Sequence, residues 1–136
     1  MRITDYKGYD LNNRIAVMGE VNRPGIFYFG NQTDLLESIS FAEGHKSSAN
    51  LKSIVLIRKG YAQDPQFHLI NAENILNGKN LSQNVSLAGG DIVFVPKTFI
   101  ASVGEFVQYF FANIKPAADT YLSYYDTFHA GKRYPK

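Results

Sequence analysis

The sequence predicts an α+β fold, a small mixed sheet crossed by a helix and followed by an amphipathic helical tail. Three observations carry this. Short β-prone runs alternate with turn residues through the first two thirds of the chain. A helix-period stretch interrupts them after the second run. Beyond residue 97 the period changes, and more than half of the chain's Phe and Tyr residues gather there.

The first strand lies in "RIAVMGEV", residues 14–21, where Ile15, Val17 and Gly19 share one face and Ala16 and Met18 the other. "IFYF", residues 26–29, is the second. Between them Pro24 and Gly25 suit the two central positions of a type II turn, Pro presetting φ and Gly supplying a positive φ. Gly19 falls where a side chain would crowd a neighbouring strand. A helix follows, with Thr33 as its expected cap, Asp34 and Glu37 in its first turn, and Leu35, Leu36, Ile39 and Ala42 as its apolar stripe. Gly44 is placed to end it.

"SIVLIRKG" supplies a third strand at 54–57 and "QFHLI" a fourth. "NAENILNGKN" reads as a short helix capped by Asn71 and stopped at Gly78. "LAGGDIVFVP" gives a turn, the strand 92–95 and a closing proline. Strand, strand, helix, strand, strand, short helix, strand is the β-grasp plan.

The tail has its own logic. On a helical wheel, Phe99, Ile100, Val103, Phe106, Val107, Phe110, Phe111 and Ile114 fall within an arc of about 140°. Ser102, Glu105, Gln108, Tyr109, Asn113 and Lys115 occupy the rest. Pro116 would kink such a helix, yet the phase continues past it. Tyr121, Tyr124, Tyr125 and Phe128 return to the apolar arc, and Asp119, Ser123 and Asp126 to the polar one. The expectation is one kinked helix over 98–130, on the order of 50 Å long, whose stripe needs a cover from outside a domain of this size.

Composition narrows the function. The chain has 136 residues, 45% hydrophobic and 19% charged, with a formal net charge of +2 and no cysteine. Thiolate and disulfide chemistry are thereby excluded. The basic group Lys132, Arg133 and Lys136 at the end of the sequence reads as a solvated tail, so no nucleic-acid partner is expected. His45, His68 and His129 are scattered and show no metal-ligand spacing. There is no GxSxG elbow and no phosphate-cradling glycine loop; "AGGD" at 88–91 is a turn into a strand. No catalytic residue, metal or cofactor is expected, and the protein is read as non-enzymatic. No stretch of about 18 uncharged apolar residues occurs, and "MRITDYKGYD" lacks the apolar stretch of a signal peptide.

A wide apolar face opposite a neutral-to-acidic one has three outlets. It can pack on its own domain, lie on a membrane surface, or join copies of itself into a ring of helices with apolar outside and watery lumen. Surface helices usually carry Lys and Arg on the polar face; here Glu105, Asp119 and Asp126 face one Lys115. In the ring, Glu105, Gln108, Asp119, Ser123 and Asp126 would face the lumen, and Phe99, Phe106, Phe110, Tyr121 and Phe128 the lipid.

"RIAVMGEVNRPGIF", "DLLESISFAEGHKSSANLKSIVLIRKG" and "LAGGDIVFVPKTFIASVGEFV", in that order and spacing, resemble the soluble-ligand-binding β-grasp (SLBB) domain of bacterial polysaccharide export proteins. The GEVxxPG turn, the SANL step into the third strand and GDIVFVP before the tail carry the resemblance. It covers about residues 13–107, and with the wheel above it divides the chain into four regions: a lead-in over 1–12, the β-grasp domain over 13–97, the amphipathic helix over 98–130 and a basic tail over 131–136. It implies a subunit of a homo-oligomeric ring in the periplasm and outer membrane. There it would enclose capsular or exopolysaccharide and work with an inner-membrane polysaccharide co-polymerase. Such proteins usually begin with a signal peptide, a lipidated Cys and an export-sugar domain, so these residues would form a C-terminal piece or one member of a split system. Gly19, Glu20, Arg23, Pro24, Gly25 and Asp91 are its turn or subunit-contact positions. The alternatives are a soluble periplasmic adaptor whose tail packs on a partner protein, and a small-ligand-binding β-grasp module.

Overall fold

The structure, a computed structural model, describes residues 13–59 and 64–116. Five strands form one mixed sheet: β1 (Arg14–Gly19), β2 (Gly25–Tyr28), β3 (Ile54–Arg58), β4 (Gln66–Ile70) and β5 (Ile92–Val95), in the order β2-β1-β5-β3-β4. The central pair β1–β5 is parallel, Val17 lying beside Val93, and the flanking pairs are antiparallel. A helix between the first hairpin and β3 crosses this sheet, so the α+β, β-grasp expectation holds.

The central strands β1, β3 and β5 are apolar on both faces, which a sheet requires only when both are covered. On one face Ile15, Val17, Ile54, Leu56, Val93 and Val95 are buried beneath helices α1 (Leu35–Phe41) and α2 (Ala72–Leu76). The alternate residues Ala16, Val55, Ile57 and Ile92, with Met18, Phe67, Leu69 and Phe94 beside them, form a second core. Its lid is helix α3 (Val103–Tyr109) and the π-helical segment Phe110–Ile114 that continues it.

Local chemistry explains most element ends. Asp34, not Thr33, caps α1: its Oδ1 accepts from the Glu37 amide at 2.8 Å, whereas the Thr33 hydroxyl donates to the Glu37 carboxylate at 2.6 Å. Both residues precede the first helical turn, and sequence does not tell which one has extended backbone in register with the free amides. Gly44, at φ +86°, closes the helix by donating its amide to the Ile39 carbonyl at 2.9 Å. Asn71 caps α2, and Gly78 at φ +80° ends it. A 3₁₀ turn, Leu51–Ser53, capped by the Asn50 side chain, leads into β3.

Two expectations change. Gly25 does not sit in a type II turn; it opens β2 opposite Val17. The bend is instead made at Gly19, φ +92°, and the loop after it pairs with the end of α1. The amides of Asn22 and Arg23 donate to the carbonyls of Gly44 and Ala42. Nor does a helix run continuously from residue 98. It begins at Val103, where the Ser102 hydroxyl accepts from the Glu105 amide.

The sequence reading set Phe106 and Phe110 toward lipid. In the fold they lie against the sheet, 3% and 0% exposed. Phe110 meets Phe67 edge-on with ring centroids 5.1 Å apart, and Phe106 packs on Phe94 at 5.4 Å. The π segment keeps this contact in line. Four residues overshoot one α-helical turn by about 40°; the wider π turn undershoots, returning Ile114, 4% exposed, to the sheet. For Phe106, Phe110 and Ile114 the cover is the domain's own second face, while Phe99 and Phe111 of the same stripe stay exposed. Among the described residues no helix is long and apolar enough to cross a membrane.

Candidate functional site

At the end of the sheet where β1 and β5 finish, a groove of about 500 Å³ opens between the Gly19–Glu20 bend, the connection after β5 and α3. Its floor is built by a close approach. A Cβ on Gly19 would stand 2.1 Å from the Val95 carbonyl oxygen, and the next amide, Glu20, donates to that oxygen at 2.8 Å. Only glycine lets β1 turn while remaining bonded to β5.

One wall is the connection over residues 96–100, held at both ends. The Pro96 carbonyl accepts from the Asn50 amide at 2.7 Å, and the Ile100 amide donates to the Ser53 hydroxyl at 2.8 Å. Between these anchors Phe99 projects with 60% of its surface exposed. The other wall is α3, which presents Glu105 and Tyr109. The Tyr109 ring rests against Phe94 and Phe106, centroids 6.0 Å away in both cases, yet stays 48% exposed. Lys97 and Thr98 complete the rim, and the Glu20 carboxylate accepts from the Ser48 hydroxyl. The groove thus sets two exposed rings among two carboxylates, an ammonium and a hydroxyl.

Asp91 lies at the opposite end of β5. Its Oδ2, in a side chain 2% exposed, accepts from Arg58 Nη1 and from the Ala88 amide, each at 2.8 Å. The second Arg58 nitrogen, Nη2, donates to the Ser86 carbonyl at 2.7 Å. This ties the end of β3 to the start of β5. Burial pushes the Asp91 carboxyl above the ordinary carboxylate value, outweighing the opposing pull of the Ala88 amide, Arg58, the Lys59 amide and His68. The arrangement is that of a turn clamp, not of an acid poised over a cleft.

The sequence-named positions therefore divide. Gly19, Glu20, Glu105, Phe99 and Phe106 come together around the groove. Arg23 turns to the end of α1, where it faces Glu43 at 3.4 Å with both side chains mostly exposed. Pro24 is exposed beside it, Gly25 belongs to β2, and Gln108 is exposed on α3. Phe110 is core. Asp119, Tyr121, Ser123, Asp126 and Phe128 lie outside the described residues.

Lys97, Thr98 and Tyr109 line the same groove as Glu20 without having been singled out from the sequence. The available signals were Phe99 in a polar connection after a proline and the Ser102-x-x-Glu105 helix start. Among the described residues no group of three or more His, Asp or Glu is arranged to hold a metal ion.

Residues 13–95, more than half of the chain, match the SLBB domain family. The chain belongs to that family. The matched span runs from the start of β1 to the end of β5, so the SLBB domain contributes the sheet, α1, α2 and the Gly19 bend, while α3 follows it. SLBB domains are typical of polysaccharide export proteins. No curated protein matches the chain.

Proposed function

We propose that this chain is a non-enzymatic module of a bacterial polysaccharide export assembly, acting in the periplasm and at the outer membrane. The SLBB domain over residues 13–95, typical of such proteins, is the observation that carries the reading. In it the domain serves as a wall element of a homo-oligomeric ring that encloses the polymer and meets an inner-membrane co-polymerase. The burial of Phe106 and Phe110 supports reading α3 as part of the domain; in this reading the sequence beyond Pro116, which holds Tyr121, Tyr124, Tyr125 and Phe128, makes the attachment to the membrane.

Flotation on phospholipid vesicles tests this, with particle mass measured in detergent for the intact chain and for one cut after Pro116. The reading expects the intact chain to float and assemble and the shortened one to remain folded and unattached. Two soluble monomers would contradict it.

The burial of α3 favours one further reading, a periplasmic adaptor whose closed domain meets partner proteins without a pore. Assembly without flotation would support that reading.

A further inference from the structure

We propose that the groove at the end of β1 and β5 is a saccharide subsite, selective for neutral or amino-bearing sugars over uronates; this deepens the export reading and rests on it. The argument is one of matching surfaces. A sugar ring has an apolar C–H face and a rim of hydroxyl donors. The groove offers two exposed aromatic surfaces, Phe99 and Tyr109, and two carboxylate acceptors, Glu20 and Glu105.

The Tyr109 ring is held in place before any ligand arrives, lying on Phe94 and Phe106. The backbone on either side of Phe99 is pinned by the hydrogen bonds of Pro96 and Ile100. Binding therefore freezes little motion of the Tyr109 ring or of the backbone that carries Phe99. The volume, about 500 Å³, falls within the range of small-molecule sites.

Charge decides the class. Glu20 and Glu105 outnumber Lys97, so an anionic sugar meets net repulsion and an amino sugar attraction. A wholly apolar ligand would strip water from both carboxylates without giving them a donor. A hydroxyl-rich ring replaces that water.

The test is amide chemical-shift mapping on the intact chain with three probes: maltotetraose, partly deacetylated chitotetraose and tetragalacturonate. Shifts should gather at Glu20, residues 97–100 and Tyr109 with the first two probes and be weaker with the third. Phe99→Ala, a change at an exposed side chain, should weaken binding roughly three- to tenfold while leaving the rest of the spectrum in place. Glu105→Gln should narrow the gap between neutral and anionic probes.

No shifts with any probe, or shifts centred elsewhere, would overturn the site. So would shifts of the same amides on raising protein concentration without sugar, which would give the groove to a second copy of the chain. Because flotation and assembly are read separately, loss of the subsite with both intact would leave the export reading standing.

Discussion

Gly19 and Val95 stand so close that a single methyl group would not fit between them: a Cβ on Gly19 would lie 2.1 Å from the Val95 carbonyl oxygen. Gly19 also holds φ at +92°, a conformation side chains resist. Relief by side-chain movement is closed off, because the obstructing atom belongs to the backbone of a central strand. Gly19→Ala should therefore destabilise the domain by at least about 2 kcal/mol, measured as a lowered urea midpoint. Gly30, where an added Cβ meets nothing within 4 Å, is the control and should accept alanine with little change.

The two ends of the Phe110–Phe111 pair should behave differently. Phe110 is fully buried against Phe67 and the sheet, while Phe111 is 44% exposed. Phe110→Ala should cost about 3–5 kcal/mol and Phe111→Ala less than half of that, read by denaturant unfolding. Phe110→Asp should prevent stable folding, because it places a carboxylate among the apolar side chains of the second core. Equal and small effects at both positions would mean that α3 does not cover the sheet.

Asp91 gives a pH signature. The folded domain holds its proton more tightly than the unfolded chain, where the carboxyl has its ordinary value of 3.8. The stability that this group contributes is complete below 3.8 and declines as pH rises through the raised folded value. Asp91→Asn cannot titrate. As pH rises from 3.8 through the raised folded value, the wild type should therefore lose stability relative to the Asn variant, seen as a drift in the difference of their urea midpoints. A difference that grows in favour of the wild type would show Arg58, not burial, dominating the site.

The helix cap is a smaller test. Asp34 accepts from the Glu37 amide, so Asp34→Ala should cost about 1 kcal/mol, measured by thermal or urea unfolding. Thr33 is buried, and its hydroxyl donates to the Glu37 carboxylate. Its replacement by Ser, which keeps the hydroxyl, should lose less.

Much of the fold was legible because burial writes a period into sequence. The alternation through "RIAVMG" and the compact runs "IVLIR" and "IVFV" mark β1, β3 and β5, and Asn71 and Gly78 bracket α2. The fate of the tail's apolar stripe was not, since Phe106 and Phe110 have the same spacing whether lipid, another subunit or the domain's own sheet covers them. The deciding signal lay elsewhere in the chain. Phe67, Leu69, Ile92 and Phe94 make the sheet apolar on the face that α1 and α2 leave open, and such a face needs a lid. The groove was harder still. Glu20 and Tyr109 are 89 positions apart in the numbering and line one groove only because β1 ends beside β5 and α3 returns across the sheet.

Native-state hydrogen exchange on the intact chain tests most directly whether α3 belongs to the domain's core. The amides of Phe106, Phe110 and Ile114 should open with the same free energy as those of Val93 and Val95, rising and falling together with denaturant. If the α3 amides exchange freely while β5 stays protected, the helix is not the lid of the sheet, and its apolar face is again available to a membrane or a partner.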